Sequence, residues 1–527
     1  MALTGGLIMS SVDADPHAGR AKPWLPEQWD FEADVVVVGY GGAGVCAAVV
    51  AHDAGAQVLI LEKAPFAGGN TGCSRGGLRI PTEVPGAIKF YRGLTQGTVD
   101  EESLCALAEA IVALPQRLEE WGAELESFPL ASEFPALPGS ECFNQCISLA
   151  RTAQQKAEQE KAGRAYATHG DQLFRFLENL VKQRAIKAMF ETPAIELIQD
   201  PLTKEILGVR AQHKGAEIPI CVKARRGVVL ACGGFQANQE MLVNYLSFLT
   251  QLPVYPYGTP YNTGDGIAMA AEVGAKLWHM SGCELGTFAP KAPSEKFGVG
   301  FRLEKHMPSG SQAIYVNKYG KRFMNESVLL SHRKDLFEVQ YFDHDRAEYP
   351  NVPFYLVFDE TFRKRRPIVG VHMGWWYVHG LHKWSDDNSA EIEQGWIVKA
   401  DTIKELAAKI GVDPAALQAT VSNYNGYCAT GKDPEFGRFK DWLVPLKTPP
   451  YYATELCEPI INTQGGPKHN GQAQVLDKND QPIPRLYAAG ELGSFFFPLY
   501  ESASNIPEAL AFGRIAGAHA AALTPWD

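Results

Sequence analysis

The run Val35-Val36-Val37-Val38-Gly39-Tyr40-Gly41-Gly42-Ala43-Gly44 constrains this chain more than any other stretch. Four β-branched residues read as a buried strand, G-x-G-x-x-G as a tight turn, and the Ala/Val run from Val45 to Ala51 as a helix. Glycine is needed at Gly39 for the turn, at Gly41 so that backbone can approach a pyrophosphate, and at Gly44 so that helix and strand pack closely. The helix then points free N–H groups and the positive end of its dipole at the phosphates. A second apolar strand, Gln57 to Leu61, closes on Glu62. An acid about twenty residues past the glycines binds ribose hydroxyls in such folds. The stretch therefore predicts a dinucleotide site on an α/β fold.

A chain of 527 residues exceeds one typical core, so at least two domains are expected. A net charge of −11 with no basic patch argues against a nucleic-acid partner. The run Arg363-Lys364-Arg365-Arg366 is expected to be a solvated loop or helix end. No stretch reaches the roughly 18 consecutive apolar residues of a membrane span. Asp13, Asp15, Pro16 and His17 break any secretory pattern, and residues 1–30 are expected to be a disordered lead-in. Ten cysteines without a C-x-x-C predict reduced thiols and a cytoplasmic location. Cys142 and Cys146 are four apart and could share a helical face, but two ligands do not make a metal site, and no metal is expected.

Beyond Glu62, the segment from Lys63 to Gly77 is dense in small residues, including Gly68, Gly69, Asn70, Thr71, Ser74, Gly76 and Gly77. Such a loop lets backbone lie against a phosphate-bearing ligand. Amphipathic helices are predicted over Leu104 to Trp121 and Gly170 to Lys187. Ala194 to Ile198, Leu207 to Ala211 and Ile218 to Val222 read as a small meander, with a turn at Asp200 to Thr203. Arg226 to Leu230, followed by Ala231-Cys232-Gly233-Gly234-Phe235, reads as a separate strand returning to the nucleotide sheet. Asn262-Thr263-Gly264-Asp265-Gly266 precedes a helix over Ile267 to Gly274, and is either a plain capping turn or a ligand contact. The aromatic-rich stretch 286–444 reads as an inserted cap domain, with helices from a Thr402/Glu405 capping box to Gly411 and from Asp413-Pro414 to about Ala429. Arg485 to Glu491 reads as a strand, and a helix entered through Tyr500 to Leu510 runs to about Ala522. The expected organisation is a nucleotide-binding domain in two pieces, 31–285 and 445–527, around the cap.

Taken together, these motifs resemble the flavoprotein superfamily of fumarate reductases and 3-ketosteroid dehydrogenases, closer to the ketosteroid side. Further matches are Tyr315 to Phe323, Thr463-Gln464-Gly465-Gly466-Pro467 and Phe512-Gly513-Arg514-Ile515-Ala516-Gly517. The resemblance implies a Rossmann-like FAD-binding domain with an α+β cap holding substrate over the flavin. It assigns Gly39, Gly41, Gly44 and Glu62 to the AMP half, and Asn70, Thr71, Ser74 and Gly77 to the pyrophosphate and flavin. Gly42, Ala43, Lys63, Gly68, Gly69, Gly76, Ala194, Ala231, Gly233, Asn262 and Asp265 complete the set. Glu491 takes the ribityl side, and Ser504, Asn505 and Ile506 lie at the flavin, the last two meeting its pyrimidine edge through backbone groups. Members with covalent FAD carry a histidine where this chain has Asn70, so non-covalent FAD is expected.

Fumarate reductases place a histidine before Thr-x-Gly-Gly, where this chain has Asn462, and a proton-donating arginine whose nearest counterpart, Arg333, sits at shifted spacing. Tyr500-x-Ser502-x-Ser504 instead resembles the ketosteroid dehydrogenase stretch in which a tyrosine hydroxyl and a backbone N–H four residues on hold the ketone oxygen. Ser504 stands where those enzymes usually have glycine. Desaturation beside a ketone needs an oxyanion hole, a base for the α-proton and a hydride acceptor. Tyr500, Ser502 and Ser504 are the expected carbonyl-binding group, with flavin N5 as acceptor. A tyrosinate is the expected base, preferentially Tyr315, with Tyr257, Tyr261 and Tyr377 as alternatives. The expected activity is FAD-dependent introduction of a C=C bond α,β to the ketone of an apolar cyclic or steroid-like substrate, using an external electron acceptor. The alternatives are reduction of an activated C=C, or an electron-transfer subunit; the lack of Fe–S cysteine spacing disfavours the latter.

Overall fold

The computed structural model describes residues 24–154, 156–157, 170–303, 312–327, 336–370 and 373–526. Most of the expected lead-in and Arg333 lie outside the described residues. The first sheet has eight strands, ordered Gln474–Leu476, Pro482–Ala488, Ile220–Leu230, Phe31–Val38, Val58–Leu61, Lys187–Met189 along its main path. From Pro482–Ala488 to Lys187–Met189 all pairings are parallel. Parallel strands are buried on both faces, which is why Val35 to Val38 and Val58 to Leu61 read as unbroken apolar runs.

Five local expectations are corrected. Ile218 to Val222 and Arg226 to Leu230 are not two strands; Ile220–Leu230 is one, pairing with Ile206–Ala211 through its first half and with Phe31–Val38 along its length. The basic pair Arg225-Arg226 forms a bulge opposite Asp34, whose Oδ1 lies 3.4 Å and 3.5 Å from their Nε atoms. The helix expected to reach Lys187 ends at Gln183, and Lys187–Met189 joins the sheet edge. Leu104 to Trp121 is split into Glu101–Val112 and Leu114–Glu120, with Pro115 opening the second helix. Arg363 is not solvated: it is buried at the end of Glu360–Arg363, bonded to Glu360 at 2.6 and 2.8 Å and to Asp387 at 2.9 Å. Cys142 and Cys146 lie in a 3₁₀ turn and a strand, not on one helical face.

The second sheet is built on Tyr451–Thr463. Val254–Pro256 pairs with it in parallel, and Cys283–Leu285, Ala289–Pro290, Phe354–Asp359 and Val398–Ala400 antiparallel. Ala313–Asn317 extends the sheet through Phe354–Asp359. This sheet therefore draws strands from both sides of residues 286 and 444. The helices Ile403–Ile410 and Pro414–Thr430 start where capping predicts, with Thr402 accepting from the Glu405 N–H and Asp413 from the Ala416 N–H.

The C-terminal helix, Asn505–Ala522, packs on the helix Gly42–Asp53. Side chains at Gly513 and Gly517 would stand 2.3 Å from the carbonyls of Ala43 and Ala47, so only glycine permits this approach. The two N-termini reach the same cavity, lined by Gly42 and Ala43 from one helix and Asn505 and Ile506 from the other. Among the described residues no helix is long and apolar enough to cross a membrane.

Candidate active site

The cradle begins where two parallel strands end together. Gly39 has φ +105°, and a Cβ there would lie 2.4 Å from the Ala231 carbonyl at the end of the neighbouring strand. A Cβ on Gly44 would meet the Gly39 carbonyl, whereas one on Gly41 would have no neighbour closer than 4.0 Å. The chain thus closes around Gly39 and Gly44 and leaves backbone bare at Gly41, the shape a pyrophosphate requires. Glu62 Oε2 accepts the Tyr40 N–H and Oε1 the Ala64 N–H, each at 2.7 Å. The acid expected at the ribose therefore also fixes the turn, and burial raises its pKa against the lowering effect of these bonds.

A cavity of about 430 Å³ runs from this cradle to Tyr500. Of the expected cofactor residues, Gly39, Gly41, Gly42, Ala43, Glu62, Lys63, Gly69, Asn70, Thr71, Ser74, Gly76, Gly77, Ala194, Ala231, Gly233, Asn262, Asp265, Glu491, Asn505 and Ile506 line it. Gly44, Gly68 and Ser504 stand behind the wall: Gly44 against the Gly39 carbonyl, Gly68 donating its N–H to the Tyr40 carbonyl at 3.0 Å.

The middle of the cavity joins residues 421 positions apart. Asn70 donates to Glu491 Oε1 at 2.5 Å while its own oxygen accepts the Thr259 N–H at 2.9 Å. Asn262 Nδ2 donates to Glu491 Oε2 at 2.9 Å. Burial pushes the Glu491 carboxyl up to about 7, opposed by these donors. The helix Asp265–Glu272 has no side-chain cap because its N-cap residue is Gly264, while Asn262 turns to Glu491 and Lys63 bridges Thr263 and Asp265, the latter at 2.8 Å. Of the two alternatives open for Asn262 to Gly266, this geometry favours the ligand contact.

At the far end, Tyr500 Oη accepts the Ala503 N–H at 3.1 Å, and the Asn505 N–H also points at it. Burial holds the phenol far above its ordinary pKa, so it remains a neutral O–H. Ser502 lines the cavity and donates through Oγ to Glu133 at 2.8 Å. Ser504 does not take the carried-over role: its N–H donates to the Glu501 carbonyl at 3.2 Å and the residue is buried away from the cavity. Helix geometry explains this, since the turn Tyr500 to Ala503, with Ala503 at φ +68°, folds back before the helix starts. Tyr315 is a core residue, packed edge-on against Phe288 and Phe354 and outside the cavity wall. Tyr257 and Tyr261 line the cavity; Tyr377 is 39% exposed and does not. Asn462 lines it too, beside Asn505.

A family model described as an FAD binding domain matches residues 34–506. The chain belongs to this FAD-binding flavoprotein family. It is 30% identical over 518 residues to the urocanate reductase of Eggerthella lenta, covering 96% of this chain and 77% of that protein. It is 28% identical over 590 residues to the 3-oxosteroid 1-dehydrogenase of Mycobacterium tuberculosis, covering 93% and 98%. Its fold matches 3-ketosteroid delta1-dehydrogenase from Sterolibacterium denitrificans, solved with 1,4-androstadiene-3,17-dione, with a TM-score of 0.74, 25% identity and coverage of 93% and 99%. The protein is thus an FAD-dependent oxidoreductase acting at carbon–carbon single or double bonds, on a Rossmann-like domain with a cap.

The cradle at Gly39 to Gly44 and the bare Gly41 backbone fit FAD, and Asn70, the counterpart of the attachment histidine, is held by Glu491 and Thr259. Three residues of the flavoprotein's cavity carry no sequence signal. Arg79 is fully buried and bonds the carbonyls of Leu130 and Phe143 at 2.6 Å each, that of Ser502 at 3.0 Å, and Glu501 at 3.0 Å. Glu133 and Arg302 join it in the wall. Only tertiary structure brings these together. Among the described residues no cluster of three or more His, Cys, Asp or Glu could hold a metal.

Proposed function

We propose that this flavoprotein desaturates an apolar cyclic or steroid-like ketone at the bond α,β to the carbonyl. The observation that carries the reading is Tyr500. Its oxygen accepts backbone N–H groups at the start of a helix and its pKa is raised by burial, so the hydroxyl serves as a proton-bearing donor to a carbonyl oxygen. A donor aimed where negative charge develops stabilises an enolate more than the ketone. Phe66, Trp375, Met373 and Leu130 give the same cavity an apolar wall suited to rings. FAD supplies the two-electron acceptor when bound, and an external acceptor reoxidises it. The ten free cysteines support a cytoplasmic setting.

One observation favours the reverse chemistry. Arg75 and Arg302 also line the cavity, and guanidinium groups suit a carboxylate, as in an enoate. The two readings separate in one experiment. The purified yellow protein is given a panel of cyclic ketones with an artificial electron acceptor, then enones and enoates with reduced viologen. Turnover of ketones supports desaturation; turnover confined to enoates overturns it.

A further inference from the structure

Desaturation needs a base, and Tyr315 is outside the cavity. We propose that Glu133 is the general base that removes the α-proton of the ketone, an inference that rests on the desaturase reading above.

Among the described residues four carboxylates line the cavity: Glu62, Glu133, Asp265 and Glu491. Three lie along the cradle and the middle of the cavity, away from Tyr500. Glu62 holds the N–H groups of Tyr40 and Ala64, Asp265 pairs with Lys63, and Glu491 binds Asn70 and Asn262. Glu133 is the carboxylate at the Tyr500 end. Its Oε1 accepts the Ser502 hydroxyl at 2.8 Å, and its backbone N–H donates to both carboxylate oxygens of Glu501 at 3.2 Å. Arg79 bonds the carbonyls of Leu130 and Ala131 on one side and that of Ser502 on the other. The loop bearing Glu133 is therefore pinned to the turn bearing Tyr500 by Ser502, Glu501 and Arg79, the last two paired with each other. A proton acceptor and a proton donor are held as one rigid unit on one cavity, the pairing that enolisation requires.

In the step, the α-carbon C–H bond breaks and its proton forms an O–H bond with a Glu133 carboxylate oxygen. The C–H electron pair becomes the enolate double bond, and the charge gathers on the carbonyl oxygen, which accepts the Tyr500 O–H. The step is redox-neutral, so no oxidant is needed to observe it. Ser502, by donating to Glu133 Oε1, holds that carboxylate in place; it is a positioning residue.

The test is exchange of the α-hydrogens of a cyclic ketone in D₂O, read by mass spectrometry, with FAD-loaded enzyme and no electron acceptor. Glu133→Gln is expected to lower the exchange rate by about 10² or more, the usual contribution of a general base. Flavin absorbance and the spectral change on ketone binding should be unchanged. Glu133→Asp should recover part of the rate, and external formate should restore exchange to Glu133→Ala. Near-wild-type exchange in Glu133→Gln overturns the assignment while leaving desaturation intact. Absence of exchange in the wild type with every ketone, together with turnover of enoates, overturns the desaturase reading and the base with it.

Discussion

Replacing Arg79 with methionine tests whether the catalytic turn is held by a buried ion pair. Arg79 and Glu501 side chains are both 0% exposed, and the guanidinium also satisfies the carbonyls of Leu130, Phe143 and Ser502. Arg79→Met leaves a buried carboxylate without its cation, a change that costs about 3–5 kcal/mol. Glu501→Gln is different. Burial pushes the Glu501 carboxyl up from 4.5 to about 6 although Arg79 opposes the shift. With a folded pKa above the unfolded one, the stability this group contributes is complete below pH 4.5 and is lost as pH rises through 6. The loss is about 2 kcal/mol, from 1.5 units at 1.36 kcal/mol each. A neutral glutamine escapes that loss but leaves the Arg79 guanidinium buried without its anion, its carbonyl partners kept, so the variant should lose about 1–3 kcal/mol, less than Arg79→Met. The assay is urea unfolding of the FAD-loaded protein, followed by flavin release and tryptophan emission. The expected order of midpoints at pH 8 is wild type, then Glu501→Gln, then Arg79→Met. At pH 5 the wild type should gain on Glu501→Gln. If Arg79→Met unfolds at or above the midpoint of Glu501→Gln, the pair does not hold the turn and the reasoning fails.

Tyr500→Phe removes the acceptor of the Ala503 N–H as well as the donor to substrate. It should lower kcat by about 10²–10³ with FAD retained, and loss of flavin would mark Tyr500 as structural. Gly39→Ala cannot be accommodated, with φ +105° and Ala231 O 2.4 Å from the new Cβ, and should purify without flavin absorbance. Burial pushes His279 and His469 down to about 4 from 6.5. Each contributes stability that is full above pH 6.5 and lost as pH falls toward 4, about 3 kcal/mol per histidine. A His279→Gln, His469→Gln variant should therefore gain on wild type in melting temperature over that range. The paired comparison cancels the opposite effect of Glu491 and Glu508, whose carboxyls burial pushes up to about 7.

What was legible in the sequence was mostly local. Val35 to Gly44 could be read because strand, turn and helix follow one another and each glycine answers a need within ten residues. The alliance of Asn70 with Glu491 was legible only through the resemblance of separate motifs, since no spacing rule spans 421 positions. Tyr315 shows where periodicity stops: a strand pattern says that a side chain alternates, not which face opens on a cavity. Ser504 shows where motif transfer stops, because one positive-φ residue before it redirects the backbone N–H. Glu133 and Arg79 sit in unremarkable sequence and gain their roles from partners as far as 369 and 423 residues away. The strand Ile220–Leu230 reads as two because charged residues interrupt its apolar run, and the bulge facing Asp34 that accommodates them has no local signal.

The placement of Pro482–Ala488 beside Ile220–Leu230, and of Asn505–Ala522 on Gly42–Asp53, imposes an order on the life of the molecule. A ribosome delivers the first half of the flavin site some 440 residues before the second. From its own emergence until Leu486 to Ala488 follow, the stretch Val228 to Leu230 presents an unpaired edge, the kind of surface that recruits other chains. Newly made protein therefore needs shielding until the strand Pro482–Ala488 emerges. Loading of FAD then waits on these late elements, and yellow colour reports that Pro482–Ala488 and Asn505–Ala522 have docked.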